Sequence, residues 1–281
     1  MAVRAARTRR GPRYSGRMTA EGKREEFLEP IRYEHPLNER IRTMMRLEVL
    51  FARARHFIAQ DAPQDHHAAL AALFEITDVA ARADLKSELI QELERQKQVL
   101  APLRGNPGID QGMLEALLGE TDSVSGQILA QQGKAGMHLR ENEWLMAIKQ
   151  RMAIPGGVCE FDLPAYHYWL NRGAQARRQD IVAWIEPFAP LAMGCSIVLR
   201  LLRENGRASQ HVAQRGSFQL MMTTSKASQL LRIALSRDLP VVPEVSANKY
   251  ALNIRFIGAS GMDRGALFDQ DVEFELTFCN L

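Results

Sequence analysis

The stretch Tyr250-Ala251-Leu252-Asn253-Ile254-Arg255-Phe256 decides the fold class, because its side chains alternate with a period of two. A β-strand points successive side chains to opposite faces. Tyr250, Leu252, Ile254 and Phe256 therefore read as a core face, and Ala251, Asn253 and Arg255 as a solvent face that Lys249 shares by parity. The alternation recurs in Val272–Cys279, where Val272, Phe274, Leu276 and Phe278 are offset from Glu273, Glu275, Thr277 and Cys279. Phe218, Leu220 and Met222 suggest a third strand, and Leu231, Ile233 and Leu235 a fourth. Turn-rich segments separate these one-sided strands, as in an antiparallel sheet.

Before Gly206 the period is that of a helix. Leu37, Ile41, Met44, Leu47, Phe51, Ala54 and Ile58 recur at spacings of three and four, which predicts a helix starting near Pro36. Asp65 is a candidate N-cap for a second helix to about Arg82. Leu85, Leu89, Leu93 and Leu100 mark a long, charged third helix that ends before Gly105-Asn106-Pro107-Gly108. Asp110 can cap a fourth to about Gln131. Residues 139–154 read as another, stopped by Pro155-Gly156-Gly157, and shorter helices are expected at 164–171, 174–186 and 190–204. The expected fold class is α+β: an Arg-rich arm over residues 1–30, a mainly helical domain over 31–206, and a smaller antiparallel β domain over 207–281.

The chain has 281 residues, 46% of them hydrophobic, enough for sizeable cores. Its 36 basic and 33 acidic residues give a net charge of +3, but residues 1–20 carry six Arg and no acid, so residues 21–281 hold 30 basic against 33 acidic groups. The body therefore lacks the broad positive field of a protein that binds nucleic acid through phosphates. The arm resembles a mitochondrial transit peptide in composition, yet it has neither an amphipathic stripe nor a secretory apolar segment. It reads as a solvated arm, or as an over-extended start with Met18 as the initiator. Residues 188–202 are the most apolar stretch, but with Pro190 and Arg200 they fall short of the ~20 apolar residues a membrane span needs. Cys159, Cys195 and Cys279 are odd in number and far apart, which fits reduced thiols and a cytoplasmic location.

Chemistry-bearing patterns are sparse. Gly156-Gly157 follows a proline and lacks the Lys-Ser or Lys-Thr of a phosphate-binding loop. His66 and His67 are adjacent, so on a helix they diverge by ~100° and read as solvated first-turn residues rather than metal ligands. Cys159 and His167 are close enough to suggest a thiol and its base, but no oxyanion donor or orienting acid accompanies them. No catalytic set, metal or cofactor is expected. What stands out is arginine, 29 residues against seven Lys. Guanidinium forks bind carboxylates in bidentate fashion, so a local cluster can capture an acidic peptide without a basic protein around it. Residues 32–55 hold six Arg against three Glu.

Tyr33-Glu34-His35-Pro36-Leu37-Asn38-Glu39-Arg40, with Arg42-Thr43 and Arg46-Leu47-Glu48, resembles the opening of the ZapD family of FtsZ-associated cell-division proteins. Three further blocks agree in order: Glu88-Leu89 with Glu92-Leu93 and Arg95-Gln96; Gln150-Arg151 with Ile154-Pro155-Gly156-Gly157 and Phe161-Asp162-Leu163-Pro164; and Ile254-Arg255-Phe256. The resemblance implies a homodimer, assembled through the helical domain, that binds the C-terminal peptide of FtsZ and bundles its filaments at midcell without catalysing a reaction. It implies peptide-binding roles for Arg46, Arg82, His167 and Arg255, with Lys249 as a further candidate on the same sheet face. Glu143 and Ala251 stand where the family pattern has Arg. The helices expected at the two-fold axis are the first and the long charged third. The competing reading is a nucleic-acid-binding adaptor using the arm and first helix. The slightly acidic body and the lack of an exposed aromatic series on the sheet argue against it.

Overall fold

The computed structural model describes residues 29–81, 84–131, 133–222, 228–259 and 265–280. The expectations for the arm fall outside these residues apart from Glu29 and Pro30, and so does Arg82. The described residues form two compact units, one within residues 40–105 and 111–200, the other within 29–39, 106–110 and 201–280.

The first unit is helical. Its elements are α1 (Glu39–Ile58), α2 (Pro63–Ala80), α3 (Leu85–Leu100), α4 (Gln111–Ala130), α5 (Met137–Arg140), α6 (Glu143–Met152), α7 (Pro164–Leu170), α8 (Ala174–Ile185) and most of α9 (Ala189–Glu204). The predicted stripe of α1 is its core face, with Ile41, Met44, Leu47 and Ala54 fully buried alongside Leu70, Leu73 and Ile76 of α2 and Leu89 and Leu93 of α3. Residues 139–154 form two helices rather than one, because Asn142 restarts the chain as an N-cap: its Oδ1 accepts from Leu145 N at 3.0 Å. Pro63, not Asp65, opens α2, a position where its missing N–H costs nothing. α9 passes so close to α3 that a Cβ on Gly194 would lie 2.9 Å from the Leu89 Cδ2 methyl. Residues 174–204 are long and apolar enough to cross a membrane by length and composition. They are divided, however, by a 3-10 turn at Glu186–Phe188, and Leu191, Cys195, Ile197, Val198 and Leu199 are buried within the protein, the pattern of a core helix.

A buried carboxylate ties the start of α1 to α3. Glu92, 2% exposed, receives Arg95 at 2.7 and 3.1 Å, Gln96 at 2.8 Å and Arg40 at 3.3 Å. An unpaired carboxylate would not be stable at that depth, and these donors occupy its lone pairs.

The second unit contains two antiparallel sheets. β1 (Ile31–Pro36), β4 (Leu230–Leu235), β7 (Val272–Cys279) and β2 (Arg207–Ala213) form one in that order; β3 (Ser217–Met221), β6 (Ala251–Gly258) and β5 (Val241–Ala247) form the other. Their facing sides share one core, in which Leu231, Ile233, Phe274 and Leu276 meet Leu252, Ile254 and Phe256. The rings of Phe256 and Phe274 lie 5.0 Å apart. β1 sits upstream of residues 40–200 yet groups with the sheets, so the segment expected to open the helical domain opens the β unit instead.

Two readings of the strands are corrected. Tyr250 and Lys249 lie in the β5–β6 hairpin turn, not in β6, and Tyr250 is 59% exposed. Asn248 Oδ1 accepts from the backbone of Tyr250 and Ala251 at 2.8 and 2.9 Å, which fixes the turn one residue later than the alternation predicts. The supposed wet face of β7 is covered at Thr277 and Cys279, both buried, because the chain entering β2 crosses it. Gly206 is required there, since a Cβ would collide with the Thr277 methyl and lie 2.9 Å from Cys279 Sγ.

On the same side of the sheet, Glu34 of β1 accepts a fork from Arg203, with Nε–Oε1 at 2.9 Å and an Nη–Oε2 contact at 2.8 Å. Arg232, paired with Glu34 in the β1–β4 register, brings its Nε to 3.2 Å. Replacing Glu34 by Gln leaves two half-buried guanidinium groups facing each other without a counter-charge. Glu34→Gln is expected to destabilise the β unit by about 2 kcal/mol. Hydrogen exchange of the β1 and β4 amides reads the loss, while tryptophan fluorescence, all of which comes from the helical unit, stays unchanged.

Candidate peptide-binding residues

α7 carries His167, and its inner face explains why that residue points outward. Tyr166 and Trp169 are buried, and with Trp144 of α6 and Trp184 of α8 they form an aromatic cluster with centroids 5.7–6.2 Å apart. Trp169 Nε1 donates to Asp180 at 2.8 Å, and the Tyr166 hydroxyl pairs with His67 Nδ1 at 2.8 Å. With one side locked, α7 turns His167 and Tyr168 to solvent; the His167 side chain is 52% exposed and Tyr168 72%. His167 Nε2 lies 3.6 Å from Glu160, so the loop that exposes Phe161 to 81% sits beside it. An apolar ring next to a His is the kind of surface a peptide with mixed side chains requires. Sequence reading missed Phe161 and Tyr168, although Phe161 lies in one of the blocks that carried the resemblance. Cys159 does not meet His167: its thiol donates to Gly156 O at 2.9 Å. Burial pushes the Cys195 thiol up to about 12, and raises that of Cys279.

His66 is not solvated. It is fully buried, and its Nδ1 accepts from Arg177 Nε at 2.9 Å. Arg177, 3% exposed, also donates to the carbonyls of Leu170 at 2.9 Å, Asp61 at 2.6 Å and Arg172. Arg178 caps the end of α1 through Ile58 O at 2.8 Å and Gln60 O at 3.1 Å. Burial first, and the neighbouring Arg177 charge second, hold the His66 imidazole below its ordinary value; burial does the same for His67.

Arg46 is exposed on α1, one turn from the exposed Val49. On the same helix Arg40 pairs with Glu92 and Arg53 with Glu75 at 3.2 Å. Glu143 opens α6, where a negative charge suits the helix N-terminus. In the β unit Arg255 stands on the open face of the central strand β6, flanked in register by Ser217 of β3 and Glu244 of β5. Ala251 and Asn253 share that face. Among the described residues no carboxylate pairs with Arg255. Lys249 rests over the Tyr250 ring at 4.7 Å from its centroid, in the turn before β6 and away from Arg255 along the strand. Arg46 and His167 thus belong to the helical unit, on separate elements, while Lys249 lies in the turn before β6 and Arg255 within that strand. Among the described residues no group of three His, Cys, Asp or Glu side chains is arranged to hold a metal.

Residues 45–255 match the model of the ZapD family, described as cell division protein. The chain is 53% identical over 251 residues to the cell division protein ZapD of Aromatoleum aromaticum, covering 89% of this chain and 98% of that protein. It is 53% identical to that of Azoarcus sp. strain BH72, with 89% and 100% covered, and 52% identical over 250 residues to that of Chromobacterium violaceum, with 89% and 99% covered. The chain belongs to the ZapD family of cell division proteins.

His66 and His67 set a pH dependence. Both are held below their ordinary value in the folded protein, so the unfolded chain takes up protons more readily as pH falls below about 6.5 and acid favours the unfolded state. Stability of the helical unit, followed by tryptophan fluorescence in urea, is expected to fall between pH 7 and 5 by at most about 1.4 kcal/mol per pH unit for each histidine. His66→Asn retains an acceptor for Arg177 and cannot titrate, so its profile is expected to be flatter.

Proposed function

We propose that this chain is a homodimeric division factor that binds the C-terminal peptide of FtsZ and cross-links FtsZ filaments at the septal Z-ring, on the cytoplasmic side, without catalysing a reaction. Family membership supports the division role. The observation that carries the binding mode is Arg255, exposed on an open sheet face with no carboxylate paired to it among the described residues. Arg46 and His167 offer further outward groups on the helical unit, and Arg82 and Lys249 complete the set. Acidic residues of the peptide meet these groups through charge-assisted hydrogen bonds, and its apolar residues meet exposed rings such as Phe161 and Tyr168.

A two-fold dimer displays each binding surface twice. An exposed charge pair is worth only ~0–1 kcal/mol, so one peptide is held weakly. A dimer that grips tails on two filaments gains avidity without any new contact. Binding of this kind weakens as salt screens the charges.

Co-sedimentation with FtsZ polymers tests the reading. Arg46→Glu and Arg255→Glu together are expected to remove most bundling at moderate salt while the protein stays folded and dimeric. Unchanged bundling by the folded double variant rejects these residues as the site. A monomer at micromolar concentration in light scattering rejects cross-linking by a dimer.

A further inference from the structure

The turn from β2 to β3 is built on two residues, with Ser217 N donating to Gln214 O at 2.9 Å. Both central residues have positive φ, Arg215 at 46° and Gly216 at 69°. Gly216 is required: a Cβ would run into the carbonyl of Phe268 and approach that of Phe256 at 3.1 Å. Arg215 is the only non-glycine residue with positive φ among the described residues. Two-residue turns of this geometry ordinarily carry Asn, Asp or Gly at that position, because a long side chain there strains the backbone. The strain is held in place from outside. Asp271 Oδ1 accepts from Arg215 N at 2.9 Å, and Gly216 O accepts from Phe256 N at 2.7 Å.

That last bond fixes where the turn lies. Phe256 follows Arg255, and Ser217, two residues from Arg215, is the register partner of Arg255. Two exposed arginines therefore occur at the same end of the β3–β6–β5 sheet, Arg215 in the turn that leads into β3 and Arg255 on the neighbouring strand β6. Neither guanidinium is engaged by a carboxylate among the described residues. Asp271 is bound to the Arg215 backbone, and Glu244 faces Arg255 across the β5–β6 register without forming an ion pair with it. Backbone strain maintained by surrounding structure marks positions where a side chain serves something other than stability.

We propose that Arg215 is a second carboxylate-binding residue of the β unit, and that with Arg255 it grips acidic side chains of an extended peptide laid over this end of the sheet. The proposal rests on the reading of Arg255 as a tail-binding residue. Two forks at one sheet end select a peptide with more than one carboxylate over one with a single charge.

Arg215→Asn separates strain from charge. Asn adopts positive φ more readily, so the thermal midpoint of the variant is expected to hold or rise by a few degrees. Its affinity for a synthetic peptide of the FtsZ C-terminal residues is expected to fall about three- to tenfold at low salt. Arg215→Lys keeps the charge and is expected to retain most of the binding. If Arg215→Asn binds like the wild type while Arg255→Glu is weakened, the proposal for Arg215 fails and the tail reading stands. Should Arg255→Glu bind the peptide undiminished, the tail reading itself fails. Weakened binding with a lowered thermal midpoint also overturns the proposal, since it makes Arg215 a structural residue.

Discussion

A guanidinium cannot sit in a protein interior unless its donors are occupied, and Arg177 meets that condition without a carboxylate. Its fork reaches the carbonyls of Asp61, Leu170 and Arg172 and the imidazole of His66. These acceptors come from the loop after α1, the end of α7 and the first turn of α2, so one side chain dictates where three segments run. With Arg178 holding the last carbonyls of α1, the loop between α1 and α2 has little freedom left. The orientation of α7 follows. Tyr166 and Trp169 are committed to the aromatic cluster, and His167, one position along, faces outward.

The sequence made the two periods legible, and with them the helices and the strands that alternate cleanly. What it concealed were strands whose faces do not differ. β2 reads Arg-Ala-Ser-Gln-His-Val-Ala and is exposed along most of its length, so it has no apolar parity to find. β5 contains Pro243, which an edge strand tolerates and a pattern search rejects. β1 has only Tyr33 and the following Leu37 turned to the core, and its pairing with β4 spans most of the chain. Partners that distant leave no local trace. His66 was misread for the same reason: its burial is caused by Arg177, 111 residues away.

Arginine abundance pointed to acidic partners, but composition cannot say which arginines are already spoken for. Much of the family resemblance in the first half of the chain turns out to be internal ion pairing: Glu34 with Arg203 and Arg232, and Glu92 with Arg40 and Arg95. Both knots place a Glu between two arginines: Arg203 and Arg232 reach Glu34 from far along the chain, while Glu92 is met by the distant Arg40 and by Arg95 one turn along its own helix. A Lys could supply the charge, yet not the planar fork that holds Arg203 on both oxygens of Glu34. Among the described residues Arg255 is exposed and takes part in no such knot, which is why the proposed binding mode leans on it.

Cations on an open surface are individually weak, and under the cross-linking role proposed above that weakness is a functional constraint as much as a limitation. On that reading each exposed pair contributes so little that a dimer touching one tail would dissociate readily. Occupancy then depends on how many tails lie within reach, which rises steeply where filaments run side by side. Burying one strong ion pair at the interface would raise affinity for a lone tail as much as for a bundle, and that preference for bundled filaments would be lost. The ion pairs around Glu34 and Glu92 hold each unit together, and under that proposal exposed cations such as Arg255 are left with the weak contacts that bridging filaments calls for.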